Sequence, residues 1–193
     1  MLSKEERSQG AKRAKNRGAS FERKVAKAFN EAFKGTLYEK TFCKTPSSGG
    51  LRWSKERTDV IGDIVTPATF RFTIECKKHE DLDYEVLFLT REANKIADFI
   101  SFWEQTCKEA IRAKREPLLV VEKKQGLTVA VLPERVFRDV IHWETCKDVV
   151  ITAHISLKKE SNKGCWHSVV MIPLKEFLNR VIMDKLFVEE HSE

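Results

Sequence analysis

No apolar run in the chain approaches the roughly 20 residues that a membrane-spanning helix needs, so no membrane partner is expected. The N-terminus, MLSKEERSQGAKRAKNRG, is charged throughout and lacks the apolar segment of a secretory signal. The expectation is a cytoplasmic protein of a bacterial, archaeal or phage-infected host cell. Cysteine supplies neither a disulfide framework nor a zinc site. The five cysteines, at 43, 76, 107, 146 and 165, are odd in number and include no CxxC pair, the pattern of reduced thiols. Cys146, His154, Cys165 and His167 fit no usual zinc spacing. There is no internal repeat, and no biased segment apart from the basic N-terminus.

What is present is enough for one domain with a full core: 193 residues, 41% hydrophobic and 33% charged. The formal net charge of +6 favours an anionic partner. Its distribution is more telling, because Lys4, Arg7, Lys12, Arg13, Lys15 and Arg17 crowd the first 17 residues against only Glu5 and Glu6. Residues 1–17 read as a flexible basic arm, with Lys12, Arg13, Lys15 and Arg17 as candidate phosphate contacts. A merely solvated tail is the alternative.

The stretch FRFTIECKK, Phe70 to Lys78, alternates apolar and polar residues from Phe70 to Lys77. That period predicts a half-buried strand with Phe70, Phe72, Ile74 and Cys76 on one face and Arg71, Thr73, Glu75 and Lys77 on the other. Glu75 and Lys77 then project from one face roughly 7 Å apart. As an exposed ion pair they would contribute less than about 1 kcal/mol. Beside a metal they would do chemistry.

Elsewhere the chain alternates helix and strand signals. ASFERKVAKAFNEAF, residues 19–33, carries an apolar stripe at helical spacing, with Gly35 as a C-cap candidate and Glu22 just off the stripe. TLYEKTFCK reads as a strand. Residues 45–58, TPSSGGLRWSKERT, read as a polar loop whose Arg52, Lys55 and Arg57 are candidate DNA contacts, with Trp53 either stacking on a base or folding onto the core. DVIGDIV, residues 59–65, is a short strand that would form a hairpin with the Phe70 strand and bring Asp63 near Glu75. An aspartate inside an apolar strand needs a partner or a metal. A long helix is expected over about 90–115, striped by Ile96, Phe99, Ile100, Trp103, Cys107, Ala110 and Ile111, with Gln105 beside the stripe. A hairpin turning at Gln125 and Gly126 follows, then a short helix after Pro133, two strands, and an amphipathic helix from Pro173 to Phe187.

Five of these elements together resemble the PD-(D/E)XK nuclease superfamily, and most closely the archaeal-type Holliday junction resolvases. They are NRGASFER (16–23), PSSGG (46–50), GDIV (62–65), IECK (74–77) and WEQ (103–105), in that order over roughly residues 16–132. Gly62 stands where the motif's name has proline, and the segments after Lys77 and after Val131 are longer than in compact resolvases. The resemblance implies an α/β fold: a restriction-endonuclease-like core over 18–132, a central mixed β-sheet flanked by helices, with a C-terminal α+β extension over 133–193 packed on the same domain. It also implies that Glu22 completes a metal shell directly or through water, that Gln105 supports the lysine or the phosphate, and that Ser47 or Ser48 contacts the scissile strand.

Phosphodiester hydrolysis asks for the same residue types independently of the family. It needs an activated water, neutralised charge on the phosphate and help for the leaving oxygen. Mg²⁺, with Mn²⁺ able to substitute, takes hard oxygen ligands, which Asp63, Glu75 and the Cys76 backbone carbonyl offer. Lys77 would orient or deprotonate the water. The expected activity is a Mg²⁺-dependent, structure-selective endodeoxyribonuclease acting on branched DNA as a homodimer, with Glu22, Asp63, Glu75, Lys77 and Gln105 as the catalytic set. A nuclease of restriction-like, single-strand or nicking specificity, or a non-catalytic DNA-binding module, stands as the alternative.

Overall fold

The structure is a computed structural model that describes residues 4–46, 61–79, 93–123, 126–146, 148–157 and 165–188. Helix α1 (Lys4–Ala32) is followed by two short strands, β1 (Cys43–Lys44) and β2 (Ile64–Val65), and by the long strand β3 (Phe72–His79). Then come α2 (Ala93–Ala113), β4 (Glu116–Lys123), β5 (Thr128–Pro133), α3 (Glu134–Val140), β6 (Ile151–Leu157), β7 (Cys165–Pro173) and α4 (Leu174–Arg180). Single turns of 3₁₀ helix cover Trp143–Thr145 and Met183–Leu186.

Five strands form one sheet in the order β3-β4-β5-β7-β6. β3 and β4 are parallel, as the intervening helix α2 requires, and β4-β5, β5-β7 and β7-β6 are antiparallel. The result is the expected α/β architecture, a mixed sheet with helices on both faces. The two faces are legible residue by residue. Leu118, Val120, Ala130, Leu132, Val170 and Ile172 join α1, α3 and α4 in one core, while Leu119, Val121, Val129, Val131, Val169 and Met171 pack with Phe99 and Trp103 of α2 in the other. Strands buried on both faces read as continuous apolar runs, which is why LLVV and VAVL carry no polar alternation.

Several sequence expectations change. Residues 4–17, expected as an arm, form the first half of α1. Lys, Arg, Glu, Gln and Ala dominate that segment, and these are strong helix formers. α2 leaves Ile111 76% exposed, because the buried stripe runs through Phe99, Trp103, Thr106, Ala110 and Ala113 to the end of the helix and Ile111 lies beside it. TLYEKTFCK forms turns, with only Cys43 and Lys44 as strand. The terminal helix stops at Arg180 and gives way to an isolated bridge at Val181 and a 3₁₀ turn. The last strands, β6 and β7, extend the main sheet itself.

The hairpin between the Asp63 segment and β3 is also replaced. β2 pairs with β1, Cys43 opposite Val65 and Lys44 opposite Ile64, in a separate two-stranded ribbon. β3 is therefore the edge of its sheet, and a single residue clasps that edge. The Asp63 backbone N–H donates to Ile74 O at 2.9 Å, and the Cys76 N–H donates to Asp63 Oδ2 at 2.9 Å. Behind it, Thr45 N–H reaches Asp63 O at 2.9 Å and Thr45 Oγ1 reaches Gly62 O at 2.9 Å. Asn30 ties α1 to the same region by bonding both Phe42 backbone groups, at 2.7 and 3.0 Å.

Gly62 makes this clasp possible. Its φ is +96°, and a Cβ there would lie 2.7 Å from Ile74 O and 2.9 Å from Thr73 Cγ2. Proline, with φ fixed near −65°, does not reach that conformation. Gly62→Ala should therefore lower stability by about 2 kcal/mol or more, combining left-handed strain with a backbone clash. Gly10→Ala, inside α1 with nothing within 4 Å of the added carbon, should raise it by about 0.5–1 kcal/mol. Urea unfolding of the two variants checks the opposite signs.

Candidate active site

β3 is buried on both faces along most of its length, not half-buried. Phe72, Ile74 and Cys76 pack in the α1 core, while Thr73 at 1% and Glu75 at 3% exposure lie beneath α2. The polar face meets α2 through side chains. Lys77 Nζ donates to Glu75 Oε1 at 2.8 Å, and Gln105 Nε2 of α2 donates to the same oxygen at 2.6 Å. Phe102, one turn earlier on α2, sits 5.9 Å from Lys77 Nζ, close enough for a cation–π contact. The strand fixes the spacing of Glu75 and Lys77, and the helix fixes their rotamers.

Across the edge of β3, Asp63 stands against Cys76. Glu22 of α1 comes in from the other side, where Lys44 Nζ of β1 lies 2.9 Å from Glu22 Oε2. That oxygen is buried and receives no directed hydrogen bond. Lys44 was not foreseen from sequence; only its place in a two-residue strand beside Asp63 brings it to Glu22.

Burial pushes the Glu75 carboxyl up to about 7, with repulsion from Asp63 adding to the rise and Lys77 opposing it. Asp63 is raised by burial as well; its bond from the Cys76 N–H pulls the other way, and Glu22 repels it. Asp63 is thus repelled by Glu22 and itself repels Glu75, while Lys77 offsets part of the rise at both and Lys44 part of that at Asp63. Burial of Cys76 among these acids drives its thiol far above the usual range, so it acts as a small apolar side chain.

Buried carboxylates that repel one another, offset only in part by Lys44 and Lys77, form an anionic site suited to a hard cation. The donors are oxygens, which favours Mg²⁺ or Mn²⁺ over zinc. Among the described residues no three His, Cys, Asp or Glu side chains close around a point as a metal cage. That is compatible with Mg²⁺, which keeps several waters and typically uses one or two protein carboxylates together with substrate phosphate.

A family model described as "Phage putative PDDEXK endonuclease" matches residues 13–187. The chain belongs to that family. No curated protein and no solved structure matches it. A nuclease by family, this PDDEXK protein has DNA as the partner its chemistry implies, and no helix among its described residues is long and apolar enough to cross a membrane. The family match supports the PD-(D/E)XK superfamily and leaves the narrower likeness to junction resolvases aside.

Of the residues singled out from sequence, this endonuclease fold brings Lys77 and Gln105 onto one oxygen of Glu75 and sets Asp63 against the edge of the same strand. Glu22 is engaged by Lys44 rather than by any of these. Lys15 and Arg17 are exposed on α1. Lys12 and Arg13 fall within α1, but their side chains lie outside what is described, as do Ser47, Ser48, Arg52, Trp53, Lys55 and Arg57.

The sign of the pH dependence follows from Glu75. With its folded value near 7 against an ordinary 4.5, the folded protein holds a proton that the unfolded chain has lost across that interval. Stability of the metal-free protein should therefore fall as pH rises from about 4.5 to about 7 and level off above. Urea unfolding in EDTA at pH 5 and pH 7.5 measures the drop. Glu75→Gln should remove most of it, and an unchanged slope in that variant would contradict the assignment.

Proposed function

We propose that the chain is a Mg²⁺-dependent, structure-selective endodeoxyribonuclease that cuts branched DNA, a Holliday junction resolvase acting as a homodimer. The observation that carries the catalytic part is the convergence of Glu75 and Lys77 on one face of β3 with Asp63 clasped to the same strand. Preference for branched DNA is supported by the motif resemblance described above. A four-way junction offers paired, symmetric strands, which a twofold dimer meets with two equivalent sites.

In this reading Asp63, Glu75 and the Cys76 backbone carbonyl hold the ion, and Glu22 contributes directly or through water. Bound Mg²⁺, replaceable by Mn²⁺, supplies Lewis acidity that neutralises phosphate charge and acidifies a water. Lys77 orients or deprotonates the attacking water, and its 2.8 Å bond to Glu75 supports a position beside the ion. Gln105 holds Glu75 Oε1 so that the carboxylate keeps one orientation. Lys44 balances Glu22 until substrate arrives. The exposed Lys15 and Arg17, together with Lys12 and Arg13 on the same helix, gather the DNA backbone, and the 45–58 segment with Ser47, Ser48, Arg52, Lys55 and Arg57 contacts the scissile strand.

The test is cleavage of a synthetic four-way junction and of linear duplexes with the same sequences, in Mg²⁺ or EDTA. The junction should be cut preferentially and only with the ion. Asp63→Ala and Lys77→Ala should each reduce the rate by about 10² or more. Equal cutting of both substrates would remove junction selectivity in favour of a nuclease of other specificity. Full activity in Asp63→Ala would remove the site.

A further inference from the structure

Lys44, which engages Glu22, also lines a groove that leads away from the candidate active site. The groove encloses about 370 Å³ between α1 and residues 39–44. Its floor is apolar and fixed: Ala26 and Phe42 are buried, and Asn30 holds both backbone groups of Phe42. Its walls are cationic. Arg23, Lys27 and Lys34 stand four and seven residues apart on one side of α1, and Lys40 and Lys44 line the other wall. Against them the groove has two carboxylates, Glu31 and Glu39. Glu31 lies 3.5 Å from Lys27, and Glu39 accepts a hydrogen bond from the Gly35 N–H at 2.9 Å with Lys40 3.8 Å away. Lys44 is taken by Glu22 at 2.9 Å. Arg23 and Lys34 are exposed and have no carboxylate partner among the described residues. The residues that follow Pro46 in the chain add Arg52, Lys55 and Arg57 against Glu56 and Asp59, a composition that leaves the balance positive.

Lys40 carries a second signal. Its φ is +65°, in the left-handed region where glycine or asparagine sits with little strain, and its side chain is 86% exposed. A long cation is thus held out into solvent on a backbone unsuited to it, and such strain clusters where ligands are clamped. We propose that this groove carries a sugar–phosphate strand of the DNA substrate away from the cut, with Arg23, Lys34 and Lys40 as its phosphate contacts. This rests on the nuclease reading above. From Arg23 to Lys34 the helix rises about 16 Å, the length of about five nucleotides on one strand of a duplex. Lys44 makes the track continuous with Glu22. An apolar floor between cationic walls suits a backbone whose sugars are apolar and whose phosphates are anionic.

Fluorescence anisotropy of a labelled four-way junction titrated with the full chain in EDTA, at several NaCl concentrations, reads these contacts without cleavage. The slope of log Kd against log[NaCl] should be shallower than wild type by about 0.7–0.9 for each of Arg23→Gln, Lys34→Gln and Lys40→Gly, the signature of one lost phosphate contact apiece. Lys40→Gly should do so while keeping or raising the urea midpoint, since glycine relieves the left-handed backbone. Lys114→Asn, at an exposed position just beyond α2 on the other side of the sheet, should keep the wild-type slope. Cys43 is exposed and lines the groove, so it serves as a footprint. Its alkylation by N-ethylmaleimide, followed by peptide mass spectrometry, should slow several-fold when the junction is saturating. Wild-type slopes in Arg23→Gln and Lys34→Gln, or an unchanged Cys43 rate with DNA bound, would overturn the groove while leaving the nuclease reading intact. Absence of any DNA binding by wild type would overturn both.

Discussion

The site depends on how the free edge of β3 is satisfied. An edge strand presents unpaired backbone groups that must find partners, and here two of them, Ile74 O and Cys76 N–H, are taken by one residue, Asp63, through its backbone and its side chain. A carboxylate is thereby delivered to the strand that carries Glu75 and Lys77 without a ladder of paired strands. The close approach requires a residue without a side chain immediately before it, and Gly62 at φ +96° fills that place. Thr45 holds the same turn from behind, and the adjoining Lys44 reaches Glu22. The ribbon of β1 and β2, only two residues long on each side, is thus the joint between α1 and β3.

Electrostatics then sets the character of the cleft. Glu75 is almost fully buried and shares a region with Asp63 and Glu22, an arrangement that raises carboxyl pKa values and costs stability unless something positive arrives. Contrast Glu122, also buried, which accepts hydrogen bonds from Lys24, Lys78 and Thr128. Burial pushes its carboxyl up, but those bonds more than offset the rise and hold it below the ordinary value. Glu122 ties α1 to the sheet as a satisfied structural ion. Glu75 has one lysine and one neutral amide as partners, and its carboxyl stays raised, the perturbation expected of an acid at a candidate functional site.

The candidate site residues stand out in the sequence because each carries a local anomaly. Glu75 and Lys77 interrupt the polar face of an apolar strand, Asp63 interrupts DVIGDIV, and glycine precedes it. α2 and its stripe, the β4-β5 hairpin and the two late strands were equally legible, since periodicity reports which face is buried. The errors lie where a partner distant in sequence decides. The N-terminal basic segment reads as an arm by charge, yet its helix formers continue the helix that Phe21, Val25 and Phe29 anchor in the core. Alternation in β3 suggested one wet face, because the cover supplied by α2 is invisible in nine residues.

Sequence alone determined the α/β class, the acids and the lysine, and the order in which they occur, because these follow from residue type and short-range period. Only the tertiary structure decided that β2 pairs with β1 and clasps β3 through Asp63, that Lys44 meets Glu22, and that a basic groove runs from that pair along α1. Those contacts join residues up to dozens of positions apart. Their register is set by backbone hydrogen bonding and core packing, which no local pattern encodes.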